Sequence, residues 1–136
     1  MYLLHGKNIT CGYDTVDILT ECTVGVKKGE IASIVGPNGA GKSTAMKSIF
    51  GLLKIRLGKI FLDNEDITNL LPQERVLKGM GYVPQINNIF PTLSVQENLE
   101  MGAFIQHEDY LDILDYVYNL FPVLKEKRNQ QAGELS

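Results

Sequence analysis

Apolar and polar positions divide the chain into short strand-like runs at the front and helix-like runs at the back. Leu3 to Thr10 mixes the two classes as a half-buried strand does, and Cys11-Gly12-Tyr13-Asp14 reads as a turn. Ile18 to Val26 carries a second strand pattern, closed by Lys27-Lys28-Gly29. Ile31-Ala32-Ser33-Ile34-Val35 is apolar and β-rich, and apolar side chains then recur at helical spacing (Ala45, Met46, Ile49, Phe50, Leu53). The pattern predicts a strand over Ile31–Val35, a loop, and a helix from about Lys42 to Leu53. Gly58 to Leu62 reads as a strand entering a tight turn at Asp63-Asn64, because asparagine tolerates positive φ. Pro72 to Lys78 reads as a short helix with proline in its first turn. Gly81-Tyr82-Val83 reads as a brief buried strand ended by Pro84-Gln85.

After Ser94 only helical patterns occur. Ser94-Val95-Gln96-Glu97 is a capping box, in which the serine oxygen accepts from the backbone of Glu97 and the glutamate reaches back. Its helix is predicted to run to about Gln106. A second helix, roughly Glu108 to Phe121, places Tyr110, Ile113, Leu114, Val117 and Phe121 on one stripe, which predicts a packing face. Lys125 to Asn129 is a charge run expected to form solvated surface. The division that follows is a mixed α/β part over residues 1–85 and a helical part over residues 86–136.

The chain has 136 residues, 44% hydrophobic and 21% charged, enough for one modest domain with a core. A formal net charge of −3 supplies no basic face, so nucleic acid is not expected as a partner. No apolar run is long enough to span a bilayer, and the first residues lack the layout of a secretory signal, so cytosolic residence is the default. Cys11 and Cys22 are expected as free thiols in that compartment. His5 and His107 have no cysteine or carboxylate at ligand spacing and are expected to be ordinary boundary residues.

Residues 36–43, Gly36-Pro37-Asn38-Gly39-Ala40-Gly41-Lys42-Ser43, complete the pattern G-x-x-x-x-G-K-[ST]. Glycines let the backbone fold back and bring its N–H groups to phosphate oxygens with no Cβ in the way. The helix that opens near Gly41 turns its unpaired N–H groups and the positive end of its dipole to the anion. Lys42 adds a full charge that can reach β- and γ-phosphates, and the Ser43 hydroxyl can join the shell of Mg²⁺. Thr44 continues the first turn of the same helix, and Asn38 is expected to shape the turn. By average residue usage the fixed positions would arise by chance in roughly one chain in a few hundred. The pattern therefore reads as a site for a nucleoside triphosphate rather than a glycine-rich turn beside a surface lysine.

Further motifs narrow the class. Tyr82-Val83-Pro84-Gln85, followed by a capped helix, resembles the glutamine loop of ABC-transporter ATPase subunits. Ala132-Gly133-Glu134-Leu135-Ser136 resembles the approach to that family's L-S-G-G-Q signature, and the guanine-reading N-K-x-D of GTPases is absent. Gly81–Gln85, Phe90–Ala103, Leu120-Phe121-Pro122, Arg128 and Gln131-Ala132-Gly133 are most similar to ATPase subunits of branched-chain amino acid importers. The resemblance implies an α/β P-loop NTPase (ABC ATPase) core with N-terminal antiparallel β strands and the start of a helical subdomain, truncated before the Walker B strand. It implies ATP and Mg²⁺ as cofactors, held by Gly36, Pro37, Asn38, Gly39, Ala40, Gly41, Lys42, Ser43 and Thr44. Tyr13 would stack on adenine, and Ser43 and Gln85 would meet the metal. The segment after Gln85, Ile86 to Phe90, would receive a helix of a transmembrane permease subunit. A second ATPase subunit would dock head to tail, and the protein would lie on the inner face of the cell membrane.

No residue here matches the family's strand ending Asp-Glu, nor its switch histidine. Lys42 and Ser43 can hold a triphosphate, but water activation needs a positioned base that these residues do not provide. The chain alone is therefore expected not to hydrolyse ATP, even where binding is measurable. Strands meant to be buried on both faces would lack neighbours, so the isolated chain is expected to be poorly soluble or partly folded. Two other readings compete: a soluble ABC-class ATPase of translation or repair, and a non-catalytic nucleotide-binding fragment.

Overall fold

The computed structural model describes residues 1–104 and 110–135. The predicted end of one helix near Gln106, the predicted start of the next at Glu108, His107 and Ser136 lie outside the described residues. Packing divides the chain into two compact units, Met1–Gly81 and Tyr82–Ser136.

In the first unit, β1 (Leu4–Tyr13) and β2 (Val16–Val26) form an antiparallel hairpin. Among the described residues the sheet has the order β2-β1-β3-β4, with β3 at Leu57–Leu62 and β4 at Glu65–Asp66. The expected turn at Cys11–Asp14 is corrected: β1 runs on through Tyr13 and the chain reverses at Asp14-Thr15. The reason is burial and pairing. Ile9 and Cys11 continue one inward face, at 1% and 0% exposure, and Cys11 and Gly12 pair with Leu19 and Asp17. Gly12 serves as a close approach rather than a turn, since a Cβ there would lie 1.8 Å from the Val16 carbonyl oxygen. Asp14 supplies the left-handed turn residue, with φ 49°. The Asp63-Asn64 turn forms as the sequence predicts, with φ 47° and 67°.

One helix covers this sheet. Helix α1 spans Lys42–Phe50 and sets Ala45, Ser48 and Ile49 against a core of Ile9, Cys11, Leu19, Ile60 and Ile67. It stops three residues short of the predicted Leu53 because Gly51 takes a left-handed cap, φ 86°, and returns its N–H to Ser48. Helix α2, Pro72–Leu77, starts at its proline as predicted, with the Glu74 carboxylate accepting from the Leu71 N–H at 2.6 Å. Burial pushes the Cys11 thiol pKa up, and both cysteines are free.

Two predicted strands are not strands. Ile31–Val35 and Gly81–Val83 form no ladder, and Ile31, Val35 and Val83 are 99%, 86% and 82% exposed. A strand exists only where a neighbour takes its N–H and C=O groups, and no described strand runs beside these segments.

In the second unit α3 spans Val95–Gly102 and opens on the predicted box: the Glu97 N–H donates to Ser94 Oγ at 3.2 Å, and the Glu97 carboxylate accepts from the Ser94 N–H at 2.7 Å. Its described end at Gly102 precedes the predicted one. Helices α4 (Leu111–Leu120) and α5 (Pro122–Glu126) follow. The chain then returns along α3's entry, where Val95 and Gln96 donate to the carbonyls of Gln130 and Arg128, and Ala132 donates to Leu93. The predicted stripe on α4 is corrected as well. Tyr118, outside that stripe, is the buried residue at 6% exposure, while Ile113 and Phe121 are 54% and 51% exposed. The described neighbours of α4 are too few to cover its whole apolar arc.

Candidate functional site

The glycine pattern becomes a shaped loop in the first unit. Asn38 and Gly39 make a turn, closed by Ala40 donating to the Pro37 carbonyl at 3.2 Å, with Gly39 at φ 83°. Gly41 is the residue before α1 and adopts φ 86°, ψ 10°, a left-handed conformation that other residues pay for sterically. It is also a close approach: a Cβ there would sit 2.6 Å from Leu19 Cδ2. The second glycine of the motif therefore answers to both the backbone and the core.

No side chain caps the start of α1, and no acidic residue stands in its first turn. Helix N-termini usually recruit a Ser, Thr, Asp or Asn oxygen, so an uncapped turn leaves its N–H groups available to an outside anion. Lys42 is the nearest charge. Its ammonium donates to the Gly36 carbonyl at 2.8 Å and the Pro37 carbonyl at 2.7 Å, curling back across the loop. The cation is held by neutral acceptors and retains its charge for a phosphate. Ser43 is exposed at the first turn. Thr44 is buried at 6% exposure. These donors, a loop of backbone amides, one ammonium and the hydroxyl of an exposed serine, fit the triphosphate and magnesium that the sequence calls for.

Tyr13 closes β1 and is 45% exposed. Its hydroxyl lies 3.5 Å from Lys47 Nζ, on α1, and the same ammonium is 5.9 Å from the ring centroid. The structure thus brings Tyr13 onto the helix that carries the phosphate loop. Gln85 falls in the second unit and is exposed, as are Ile86 to Phe90.

Sequence reasoning missed Arg75. It is 2% exposed, and its guanidinium donates to the carbonyls of Thr68 and Leu70 at 3.0 Å each, Ser48 at 3.4 Å, and Ile49. Two of those carbonyls belong to the last turn of α1, so the arginine caps the negative end of the loop's helix. Burial lowers its pKa, and the four carbonyls offset part of that cost. A Cβ at Gly51 would come 2.9 Å from its Nε, so that glycine makes room for the planar group. Nothing local in the sequence distinguishes this arginine from the solvated charges around it.

A family profile for the ABC transporter matches residues 19–136. A probable branched-chain amino acid transport ATP-binding protein, LivF, of Archaeoglobus fulgidus is 39% identical over 135 residues, covering 98% of this chain and 57% of that protein. The lipopolysaccharide export system ATP-binding protein LptB of Haemophilus influenzae is 38% identical, over 99% of this chain and 50% of that protein. A nucleotide-free ATP-binding cassette from an ABC transporter superposes over the whole chain with a TM-score of 0.79 at 32% identity, and 60% of that structure is covered. The chain spans between half and about three fifths of the length of these relatives. With a profile matching most of its residues and relatives above a third identical along nearly all of it, the chain belongs to the ABC transporter family.

Proposed function

We propose that this chain binds ATP with Mg²⁺ and supplies the front portion of an ATPase that powers a membrane transporter. The observation that carries the reading is the loop itself: left-handed Gly41, an uncapped α1 and the Lys42 ammonium resting on carbonyls of its own loop. In this reading the backbone of Gly36 to Thr44 and the Lys42 charge hold the phosphates, Ser43 meets the metal, and Tyr13 supports the adenine. The family resemblance supports a role for Gln85 toward the metal and the attacking water. Bound ATP would supply the energy of phosphoryl transfer.

The substrate of the transporter is proposed to be branched-chain amino acids, supported by the LivF relative. Export of a lipopolysaccharide is the second reading, favoured by the LptB relative at nearly equal identity. The segment Ile86 to Phe90, exposed throughout, is proposed to meet a permease subunit at the inner face of the membrane, and a second copy of the ATPase to complete the site. Among the described residues no helix is long and apolar enough to cross a membrane.

Calorimetric titration of the full-length protein with MgATP tests the binding. Lys42→Ala removes charge-assisted bonds of about 1.5–3 kcal/mol, so ATP affinity should fall about ten- to a hundredfold. Unchanged affinity would overturn the assignment of the loop. Uptake of labelled leucine by cells with and without the gene separates the two transport readings.

A further inference from the structure

Two cations from the segment that follows the phosphate loop converge on the tip of the β1–β2 hairpin. Lys47, on α1, meets the Tyr13 hydroxyl at 3.5 Å. Its distance to the ring centroid, 5.9 Å, exceeds that by nearly the span from ring centre to phenol oxygen. The ammonium therefore stands beyond the hydroxyl at the rim of the ring and leaves the ring faces clear. Arg56, between α1 and β3, donates from one nitrogen to the Asp17 carboxylate and from another to the Asp14 carbonyl. Its own N–H donates to the Thr10 carbonyl at 2.8 Å. Arg56 thus holds the turn that carries Tyr13 from the backbone side, while Lys47 holds the ring by its outer edge.

We propose that Lys47 is a positioning residue for the nucleotide base, acting through Tyr13, with Arg56 fixing the hairpin turn beneath it. A lone exposed tyrosine at a strand end rotates freely and pays entropy when a base stacks on it. A contact at the phenol oxygen leaves the π-face free and restrains the swing of the side chain about χ1, so the platform is in place before the ligand arrives. Lys47 extends from the same helix whose first turn faces the phosphates, which couples the two ends of the site along one rigid element. Surface pairs of this exposure add little to stability, and the function of these two cations is geometry. The proposal rests on the ATP-binding reading above and names the residue that orients the base end of that site.

The test compares two probes in the full-length protein, MgATP and magnesium tripolyphosphate, which has the phosphates and no base. Lys47→Met should weaken ATP about fivefold, the worth of one net hydrogen bond, while tripolyphosphate affinity stays within about twofold. Lys47→Arg should recover most of the ATP affinity, because it restores a donor at the rim. In a Tyr13→Ala background, Lys47→Met should have no further effect on ATP. Equal losses for both probes would place Lys47 on the phosphates and overturn the proposal. So would unchanged ATP affinity, or a full loss that persists without Tyr13. Wild-type protein that binds neither probe would instead overturn the nucleotide-binding reading on which the proposal rests.

Discussion

Replacing Arg75 by methionine keeps an unbranched apolar stem in the same pocket and removes every donor. Four carbonyl oxygens lose the guanidinium, those of Thr68, Leu70, Ser48 and Ile49, and of these Ser48 keeps the Gly51 N–H. The residue is 2% exposed, so water does not readily take the guanidinium's place. A hydrogen bond from a charged donor contributes about 1.5–3 kcal/mol, and four would give a sum far larger than any single substitution shows. The cost of desolvating the guanidinium offsets most of that sum, and it is relieved in the variant. What stays is the penalty of neutral carbonyls left without a partner, about 1–3 kcal/mol. That is a large share of a typical domain's stability. The assay is urea unfolding of the full-length protein followed by far-UV circular dichroism, read as the shift in midpoint at constant slope. Arg75→Lys keeps the charge but not the planar fork, and should fall between wild type and methionine. A loss below about 1 kcal/mol for Arg75→Met would refute the idea that this arginine ties α1 to the β4–α2 connection.

Two further outcomes are expected. The Asp66 carboxylate accepts from the Thr68 hydroxyl and N–H and from Lys59, which lowers its pKa from 3.8 to about 2. A lowered folded pKa means that its stabilisation is present above 3.8 and fades as pH falls toward about 2, so Asp66→Asn should flatten acid unfolding over that window and leave the pH 7 to pH 5 slope unchanged. Among the described residues the buried Tyr118 hydroxyl has no hydrogen-bond partner, so Tyr118→Phe should leave the thermal midpoint unchanged or raise it; a drop worth more than about 1 kcal/mol would show that the hydroxyl has a partner.

The elements that could be read from the chain are those whose signals are local. Gly41 before Lys42 marks the helix start, Ser94 with Glu97 marks another, and Asp63-Asn64 marks a turn, because each depends on residues a few positions apart. The bend of the glycine loop before Lys42 was legible for the same reason. What misled were features decided by distant partners. Ile31–Val35 has the composition of a strand, yet composition does not supply a neighbouring ladder. Cys11-Gly12 looks like a turn until Leu19 and Asp17 pair with it across the hairpin. The α4 stripe misplaced burial by one position, since only packing decides which side of a broad apolar arc is covered. Arg75 was silent because its meaning lies in carbonyls 26 and 27 residues away on α1. Lys47 was silent for the same reason, as Tyr13 is 34 residues distant.

The clasp between Lys42 and the carbonyls of Gly36 and Pro37 bears on how fast a ligand can enter. An ammonium free in water would sample many rotamers and leave the loop's carbonyls to draw the backbone inward. Held as it is, the lysine props the loop from within, as a temporary guest. On the proposed reading, an arriving phosphate oxygen would only have to exchange with a carbonyl at the same nitrogen, one partner for another. No chain segment needs to be reordered at that moment, so the entropy of shaping the loop was lost during folding and is not charged again to binding. Nucleotide capture at such a loop should be a swap of partners at one atom, with an encounter rate set by diffusion rather than by opening of the loop.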